Sequence, residues 1–208
     1  TGTGFLSNTA GDFGGGSYVG GAANIAGTTF LSNTAGLQGG GAFLDGAASI
    51  TGTSFLSNTA IGDNGGGEVV GGTARRTGTS FLSNTAGGDG GGAFVVNVAS
   101  ITRTLFLNNM ADSDGGALYL YGDHTTPAWV VNSLFASNRT LNNQGDALYV
   151  FGARSASSVV LLHNTIANPT LEDGAAIRVR FGTVAITNTI IASQTIAIDT
   201  LDHRHGGL

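Results

Sequence analysis

The phrase Phe5-Leu6-Ser7-Asn8-Thr9-Ala10 decides the fold, because it recurs almost unchanged along the first half of the chain. It returns at Phe30–Ala35, Phe55–Ala60 and Phe81–Ala86, at intervals of 25 or 26 residues. A fixed period of this size indicates a solenoid, in which each repeat buries its apolar face only by stacking on the next repeat. We call one repeat a rung.

Two further motifs complete each rung. A Gly-rich turn, such as Gly39-Gly40-Gly41, leads into a short apolar strand, and a second apolar stretch, such as Ala48-Ser49-Ile50, precedes the next Phe. Three short strands separated by turns predict an all-β, right-handed parallel β-helix (β-solenoid) with about seven to eight rungs of about 25 residues. Residues 1–208 are expected to form this single domain, as a segment of a longer solenoid or as a stacking unit. Residues 1–120 hold highly regular repeats, and 121–208 hold degenerate repeats with loop insertions near 121–127 and 139–146 or 152–158.

Stacking places equivalent residues of successive rungs in columns about 4.8 Å apart. The Phe column predicts an aromatic stack in the core, and the Asn three residues later predicts a ladder of side-chain amides along a turn. The core stack consists of Phe5, Phe30, Phe55, Phe81, Phe106 and Phe135, and the turn ladder of Asn8, Asn33, Asn58, Asn84, Asn109 and Asn138. Arg76 falls where other rungs place Ile50 or Ile101, which suggests a local slip of register.

The strand after each Gly-rich turn is apolar at consecutive positions, so both of its faces are expected to be covered. If Tyr18, Phe43 and Val69 point inward, their neighbours form an outward stripe that another chain covers. The Leu that follows each Phe forms a second apolar column, unless a bend tucks it inward. The candidate assembly interface therefore consists of Val19, Leu44, Val70, Val95, Tyr119, Tyr149, Leu31, Leu56 and Leu82.

Composition excludes several functional classes. The net charge is −5, and all eight basic residues are scattered Arg, whereas a nucleic-acid-binding protein needs a basic stripe. No apolar run reaches the ~18 residues of a transmembrane helix. The chain has no Cys, so disulfides and thiolate metal sites are excluded.

Residues with catalytic or metal-binding chemistry are few. Asp112 and Asp114 form the best carboxylate pair, followed by Glu172 and Asp173, and glycoside hydrolysis needs two carboxylates on one face. The preference of Asp for turns explains both pairs, so we assign no catalytic residue, no resident cofactor and no enzymatic activity. Asp112 and Asp114 are weak candidates for Ca²⁺, which prefers oxygen ligands in turns.

Three other patterns bear on binding functions. Arg178 and Arg180 alternate onto one strand face, where they would meet a uronate carboxylate. Thr-x-Thr rows such as Thr51/Thr53 suit an ice-binding face, but Ala26 breaks the row. The four His residues share no column, which argues against a metal cluster; these are His124, His163, His203 and His205.

The repeats resemble those of a known family. Phe-Leu-Ser-Asn, followed by Gly-Gly-Ala-Phe at 40–43 and 91–94 and Gly-Gly-Ala-Leu at 115–118, is similar to the repeat pair of the chlamydial polymorphic outer-membrane proteins, which are autotransporter passengers. More broadly, the pattern resembles bacterial surface proteins built on right-handed parallel β-helix repeats. The resemblance implies an extracellular or cell-surface location and an adhesive or structural role.

We therefore expect an extracellular β-solenoid that is a self-assembling fibre subunit or the stalk of a surface protein. Its partners would be further copies of itself, joined head to tail or laterally, or a glycan on a cell or host surface. The alternatives are a polysaccharide-binding or polysaccharide-degrading β-helix and an ice-binding solenoid.

Overall fold

The computed structural model describes residues 2–122, 126–142, 144–152, 158–168 and 174–201. Over these residues the chain forms a parallel β-solenoid of about seven rungs, with strands as its only regular secondary structure. The positions expected for the two loop insertions, 121–127 and either 139–146 or 152–158, lie partly outside the described residues. His124, Glu172, Asp173, His203 and His205 lie outside them entirely.

The strands, numbered β1 to β29 in chain order, form four parallel sheets along the solenoid. The Phe sheet contains β1 (Gly4–Leu6), β5 (Thr29–Leu31), β9 (Ser54–Leu56), β13 (Ser80–Leu82), β17 (Leu105–Leu107), β21 (Leu134–Ala136), β25 (Thr165–Ala167) and β28 (Ile190–Ala192). The Thr-Ala sheet contains β2 (Thr9–Ala10), β6 (Thr34–Ala35), β10 (Thr59–Ala60), β14 (Thr85–Ala86), β18 (Met110–Ala111) and β22 (Arg139–Thr140).

The two remaining sheets follow the Gly-rich turns. The Gly-led sheet contains β3 (Ser17–Val19), β7 (Ala42–Leu44), β11 (Glu68–Val70), β15 (Ala93–Val96), β19 (Leu118–Gly122), β23 (Leu148–Gly152), β26 (Ala175–Arg180) and β29 (Ile196–Leu201). The Ala-led sheet contains β4 (Ala23–Ala26), β8 (Ala48–Thr51), β12 (Ala74–Thr77), β16 (Ala99–Thr102), β20 (Ala128–Val131), β24 (Ser158–Leu162) and β27 (Thr183–Thr187). The sequence predicted three strands per rung, and the structure adds a fourth, the two-residue strands of the Thr-Ala sheet.

The Phe column forms a continuous stack inside the solenoid. From Phe5 to Phe135, successive ring centroids lie 4.7–4.9 Å apart and the rings are within 8° of parallel. All but Phe5 are buried. The column continues with Ile166 and Ile191, which pair in register on β25 and β28. Each ring thus contacts its equivalents above and below, which makes the core a repeat of one packing arrangement.

The Asn column forms a buried ladder in which each amide links three rungs. The Asn58 Oδ1 atom accepts hydrogen bonds from the backbone N–H of Asn33 at 3.0 Å and from its Nδ2 at 2.9 Å. The Nδ2 of Asn58 donates to the carbonyl of Phe30 in the previous rung and to Oδ1 of Asn84 in the next, both at 3.0 Å. Since the interior excludes water, these bonds satisfy polar groups that would otherwise be unpaired.

The Gly-rich turns are the places where consecutive rungs approach most closely. Gly65 adopts φ of +69°, a left-handed conformation that favours glycine. At Gly66 a Cβ atom would lie 2.4 Å from the carbonyl oxygen of Thr85 and 2.5 Å from that of Gly91. Backbone contact, and not only turn conformation, therefore requires glycine here.

Arg76 does not mark a slip of register. It pairs with Ile50 on one side and Ile101 on the other, as an unshifted strand would. Its side chain enters the core, where its Nε and Nη2 atoms contact Oε1 of Glu68, and both side chains are fully buried. Glu68 occupies the position of Ala42 in the preceding rung. One rung thus replaces a buried Ala and Ile by a buried ion pair.

The Gly-led strands face the opposite way from the prediction. Four candidate interface residues belong to the core: Leu44, Val70 and Val95 are buried, and Val19 packs against the same cluster. Their register partners further along are Leu120 and Val150. The predicted outward stripe of Val and Leu is therefore wrong.

The true outward column of the Gly-led sheet is aromatic. It begins at Tyr18 and Phe43 and includes Tyr119 and Tyr149, two further interface candidates. These last two keep only 6% and 1% of their surface exposed. The sequence reasoning mixed two registers, because it aligned Leu118 with Phe94, whereas Phe94 pairs with Tyr119.

Candidate binding face

The outer surface of the Gly-led sheet carries a column of stacked aromatic side chains. We call this column, together with the outward residues of the same strands and of the turns before them, the aromatic face. Tyr18 stacks on Phe43 with ring centroids 5.5 Å apart, and Phe94, Tyr119 and Tyr149 stack at 4.9 Å intervals. Residues on this column project outward because alternate residues of each strand enter the core. Tyr18 is 55% exposed, whereas Tyr119 and Tyr149 are covered.

A second outward column lies two residues further along the same strands. Tyr121 stacks on Phe151 at 5.4 Å, and Phe151 meets Phe181 edge to face at 5.8 Å. Tyr121 and Phe181 keep 40% and 38% of their surfaces exposed. In the next rung Arg180 replaces the aromatic residue at this position, beside Phe151. Exposed rings thus occur in both columns, and the second column continues beyond Phe151 with the guanidinium group of Arg180.

The turn before each Gly-led strand contributes a polar column on the other side of the rings. In the first rung an aromatic residue, Phe13, stands in place of the polar one, and its ring lies 5.0 Å from that of Phe43. In later rungs the backbone N–H of Asp89 donates to Oδ1 of Asn64 at 2.8 Å, and that of Asp114 donates to Oδ1 of Asp89 at 3.1 Å. This column brings two carboxylates of adjacent rungs together.

The carboxylates and phenols of this face have shifted acidities. Burial, with smaller contributions from the negative charges of Asp114 and Asp63, raises the pKa of Asp89 to about 6. Burial also raises the pKa of Asp114, although Arg178 and Arg180 oppose that shift. The phenol pKa values of the buried Tyr residues beside them, Tyr119 and Tyr149, are raised mainly by the same cause. Shifted acidities of this kind concentrate at functional sites.

The predicted pair Asp112 and Asp114 is not the pair that the fold forms. Asp112 is exposed, and its backbone N–H donates to the carbonyl of Ala86. Asp114 is half-buried and has Asp89 as its neighbour in the column. The carboxylates are therefore related along the solenoid axis and not along the chain. Within the described residues, no three His, Cys, Asp or Glu side chains lie close enough together to hold a metal ion.

The remaining candidates lie on other surfaces. Leu31, Leu56 and Leu82 pair in register on the outside of the Phe sheet and are half-buried, so they are neither fully exposed nor tucked into the core. In the Thr-x-Thr rows, Thr51 is exposed but Thr53 is buried and donates to the Thr51 carbonyl at 3.2 Å. The two hydroxyls of such a row do not share one flat outer face.

Sequence reasoning missed the polar column and the outward direction of the rings. The first glycine of each Gly-rich turn is the correct residue on which to align the rungs, because Gly14, Gly90 and Gly115 all adopt positive φ. Alignment on that glycine places Tyr18 opposite Tyr119. Alignment on the following Ala shifts the register by one residue, since Ala117 occupies the place of a glycine.

No helix among the described residues is long and apolar enough to cross a membrane. Comparison of the chain with known protein families, curated proteins and solved structures finds no match.

Proposed function

We propose that this chain is an extracellular adhesive β-solenoid whose aromatic face binds polysaccharide. The observation that carries the proposal is the combination of exposed rings with carboxylates and guanidinium groups on one face. Sugar rings present apolar C–H surfaces bordered by hydroxyl groups. Partly exposed aromatic rings beside hydrogen-bonding side chains complement both parts of a sugar.

The length of the face favours a polymer over a single sugar. The outward column runs through successive rungs from Tyr18 to Arg178, and rungs repeat about every 4.8 Å. That repeat is close to the length of one pyranose unit in an extended chain. A polysaccharide aligned with the solenoid axis would therefore follow this repeat. It would contact the exposed rings of Tyr18, Tyr121 and Phe181, whereas Tyr119 and Tyr149 are covered.

The surroundings of the face support the assignment. In the first to third rungs, the corresponding outward position of the Ala-led sheet carries Asn24, Ser49 and Arg75. Aromatic side chains are thus concentrated on the Gly-led sheet in this part of the solenoid. The likeness of the repeats to those of the chlamydial polymorphic outer-membrane proteins supports an adhesive role outside the cell.

A second candidate function is lateral assembly into a fibre or stalk. The half-buried Leu column of Leu31, Leu56 and Leu82 favours it, because a regular apolar ladder suits contact with another copy. With the Val stripe inside the core, the support for lateral self-association comes from the Leu column.

The test of polysaccharide binding is a panel of soluble and insoluble polysaccharides, measured with the purified chain by affinity electrophoresis and pull-down. Tyr121→Ser should weaken binding, since it removes an exposed ring from the aromatic face. Trp129→Ser is the matched control, because Trp129 is similarly exposed at 43% but lies on the Ala-led sheet. Equal losses in both variants, or no binding across the panel, would refute the proposal.

Light scattering of the same preparations across a concentration series tests the second candidate. Self-association that Leu56→Ser abolishes and Tyr121→Ser leaves intact would favour lateral assembly through the Leu column. A monodisperse monomer at high concentration would remove the support for assembly.

A further inference from the structure

Arg180 is held in a fixed position at the end of the aromatic face. Its guanidinium carbon lies 5.3 Å from the ring centroid of Phe151 and 5.8 Å from that of Phe181. Contacts with aromatic rings fix the plane of a guanidinium group while leaving its charge unpaired.

The two arginines of β26 differ in their ion pairs. Arg178 is paired, because its Nη1 lies 2.7 Å from Oδ2 of Asp199. Among the described residues, no carboxylate lies within ion-pair distance of Arg180, and its Nε has no hydrogen-bond partner. Arg180 is half-buried, so part of its guanidinium group reaches solvent. An oriented cation with no ion-pair partner in the described part of the chain is suited to an anionic ligand.

Charge is distributed unevenly along the face. Asp89 and Asp114 lie in the turns before β15 and β19, whereas Arg178 and Arg180 lie two strands beyond β19, on β26. Their charges are felt across this distance, since both arginines lower the pKa of Asp114. A ligand with acidic groups would therefore be attracted to the arginine end and repelled at the Asp end.

We infer that the polysaccharide bound by the aromatic face is an acidic one, and that Arg180 binds a uronate carboxylate. This inference rests on the proposed function and adds the chemical class of the ligand. A planar guanidinium group binds a carboxylate through two parallel hydrogen bonds, which a neutral hydroxyl cannot accept in the same way. Arg178, two residues earlier on the same strand face, lies about 6.6 Å away. It is paired with Asp199, so the positive charge offered to the ligand is that of Arg180.

The experiment compares polygalacturonate with its fully methyl-esterified form, which has the same backbone without the charge. Isothermal titration calorimetry of the full chain should give an affinity for the acid form about tenfold higher than for the ester. Arg180→Gln should lower the affinity for the acid form by about tenfold and leave that for the ester within about twofold. Arg75→Gln is the control, because Arg75 is an exposed arginine on the Ala-led sheet.

Equal affinity of the wild-type chain for the two forms would overturn the inference while leaving polysaccharide binding intact. Failure to bind either form, or any member of the polysaccharide panel, would overturn the proposed function as well. Equal losses in Arg180→Gln and Arg75→Gln would show that general charge, and not the site at Arg180, attracts the ligand. The comparison of acid and ester needs only the wild-type chain, so it remains decisive if Arg180→Gln does not fold.

Discussion

The buried pair of Glu68 and Arg76 allows a sharp test of how the core is stabilised. Replacing both residues, as Glu68→Ala with Arg76→Ile, reproduces the Ala and Ile found at the same positions in both flanking rungs. We expect the double variant to be as stable as the natural chain or more stable by about 1–4 kcal/mol. The reason is that the desolvation of two buried charges costs more free energy than their attraction returns.

Each single replacement should have the opposite effect. Arg76→Ile leaves the Glu68 carboxylate without its cation in a site where it has no exposed surface, and Glu68→Ala leaves the guanidinium group unpaired. Loss of one partner of a buried pair costs about 3–5 kcal/mol. The two losses would add to about 6–10 kcal/mol if the sites were independent. The difference between this sum and the loss measured for the double variant is the coupling free energy of Glu68 and Arg76.

Urea denaturation followed by circular dichroism gives the four free energies of unfolding of this cycle. Arg75→Ala is the control, since Arg75 is the exposed neighbour on the same strand, and it should change stability by no more than about 0.5 kcal/mol. A double variant that loses as much stability as the two single variants combined would refute the reasoning. Such a result would mean that Glu68 and Arg76 stabilise the core independently of each other, with no coupling free energy between them.

Three further changes test other columns. Asn58→Ala removes four hydrogen bonds of the buried ladder and should lower the free energy of unfolding by about 3–4 kcal/mol in urea titrations; a loss below about 1 kcal/mol would contradict the ladder's role. Gly66→Ala should raise the fraction of unfolded chain in thermal melts, because its Cβ would lie 2.4 Å from a backbone oxygen of the next rung. Gly21→Ala, where nothing lies within 4 Å of a Cβ, should not, and equal effects would refute the close-approach argument. Because folding raises the pKa of Asp89 from 3.8 to about 6, its folded state holds the proton more tightly, so stability is higher below pH 3.8 and falls as the pH rises to about 6. Asp89→Asn, which introduces the amide already present at Asn64 in the column, should flatten that part of the pH–stability curve, and an unchanged slope would rule out Asp89 as its source.

The repeat period, together with the two further motifs of each rung, was enough to predict the fold and two of its columns. Phe30 and Phe55 recur at identical intervals, and parallel stacking then requires identical residues to lie above one another. The same reasoning predicted the amide ladder from Asn33 and Asn58. Local repetition carries this information because each rung contacts only its neighbours.

The candidate binding face was much less accessible to sequence reasoning. In the strand that contains Phe94 and Val95, apolar residues occupy consecutive positions, so alternation does not reveal which side chain enters the core. A shift of one residue in the alignment reverses every side chain, and this shift placed Val95 outside. The sequence supplied the aromatic residues, but their direction depended on the register.

What the sequence by itself determined is therefore the rung: its period, its strands, its Phe stack and its Asn ladder, because these depend on identity between residues one repeat apart. Only the tertiary structure decided what lies together within and across rungs. Glu68 and Arg76 lie on different strands and meet inside the core, and Asp89 meets Asp114 along the axis, not its chain neighbours. The physical reason is that the repeat period fixes only the position of each residue along the solenoid axis. The direction of its side chain depends on the cross-section of the solenoid and on the geometry of its turns.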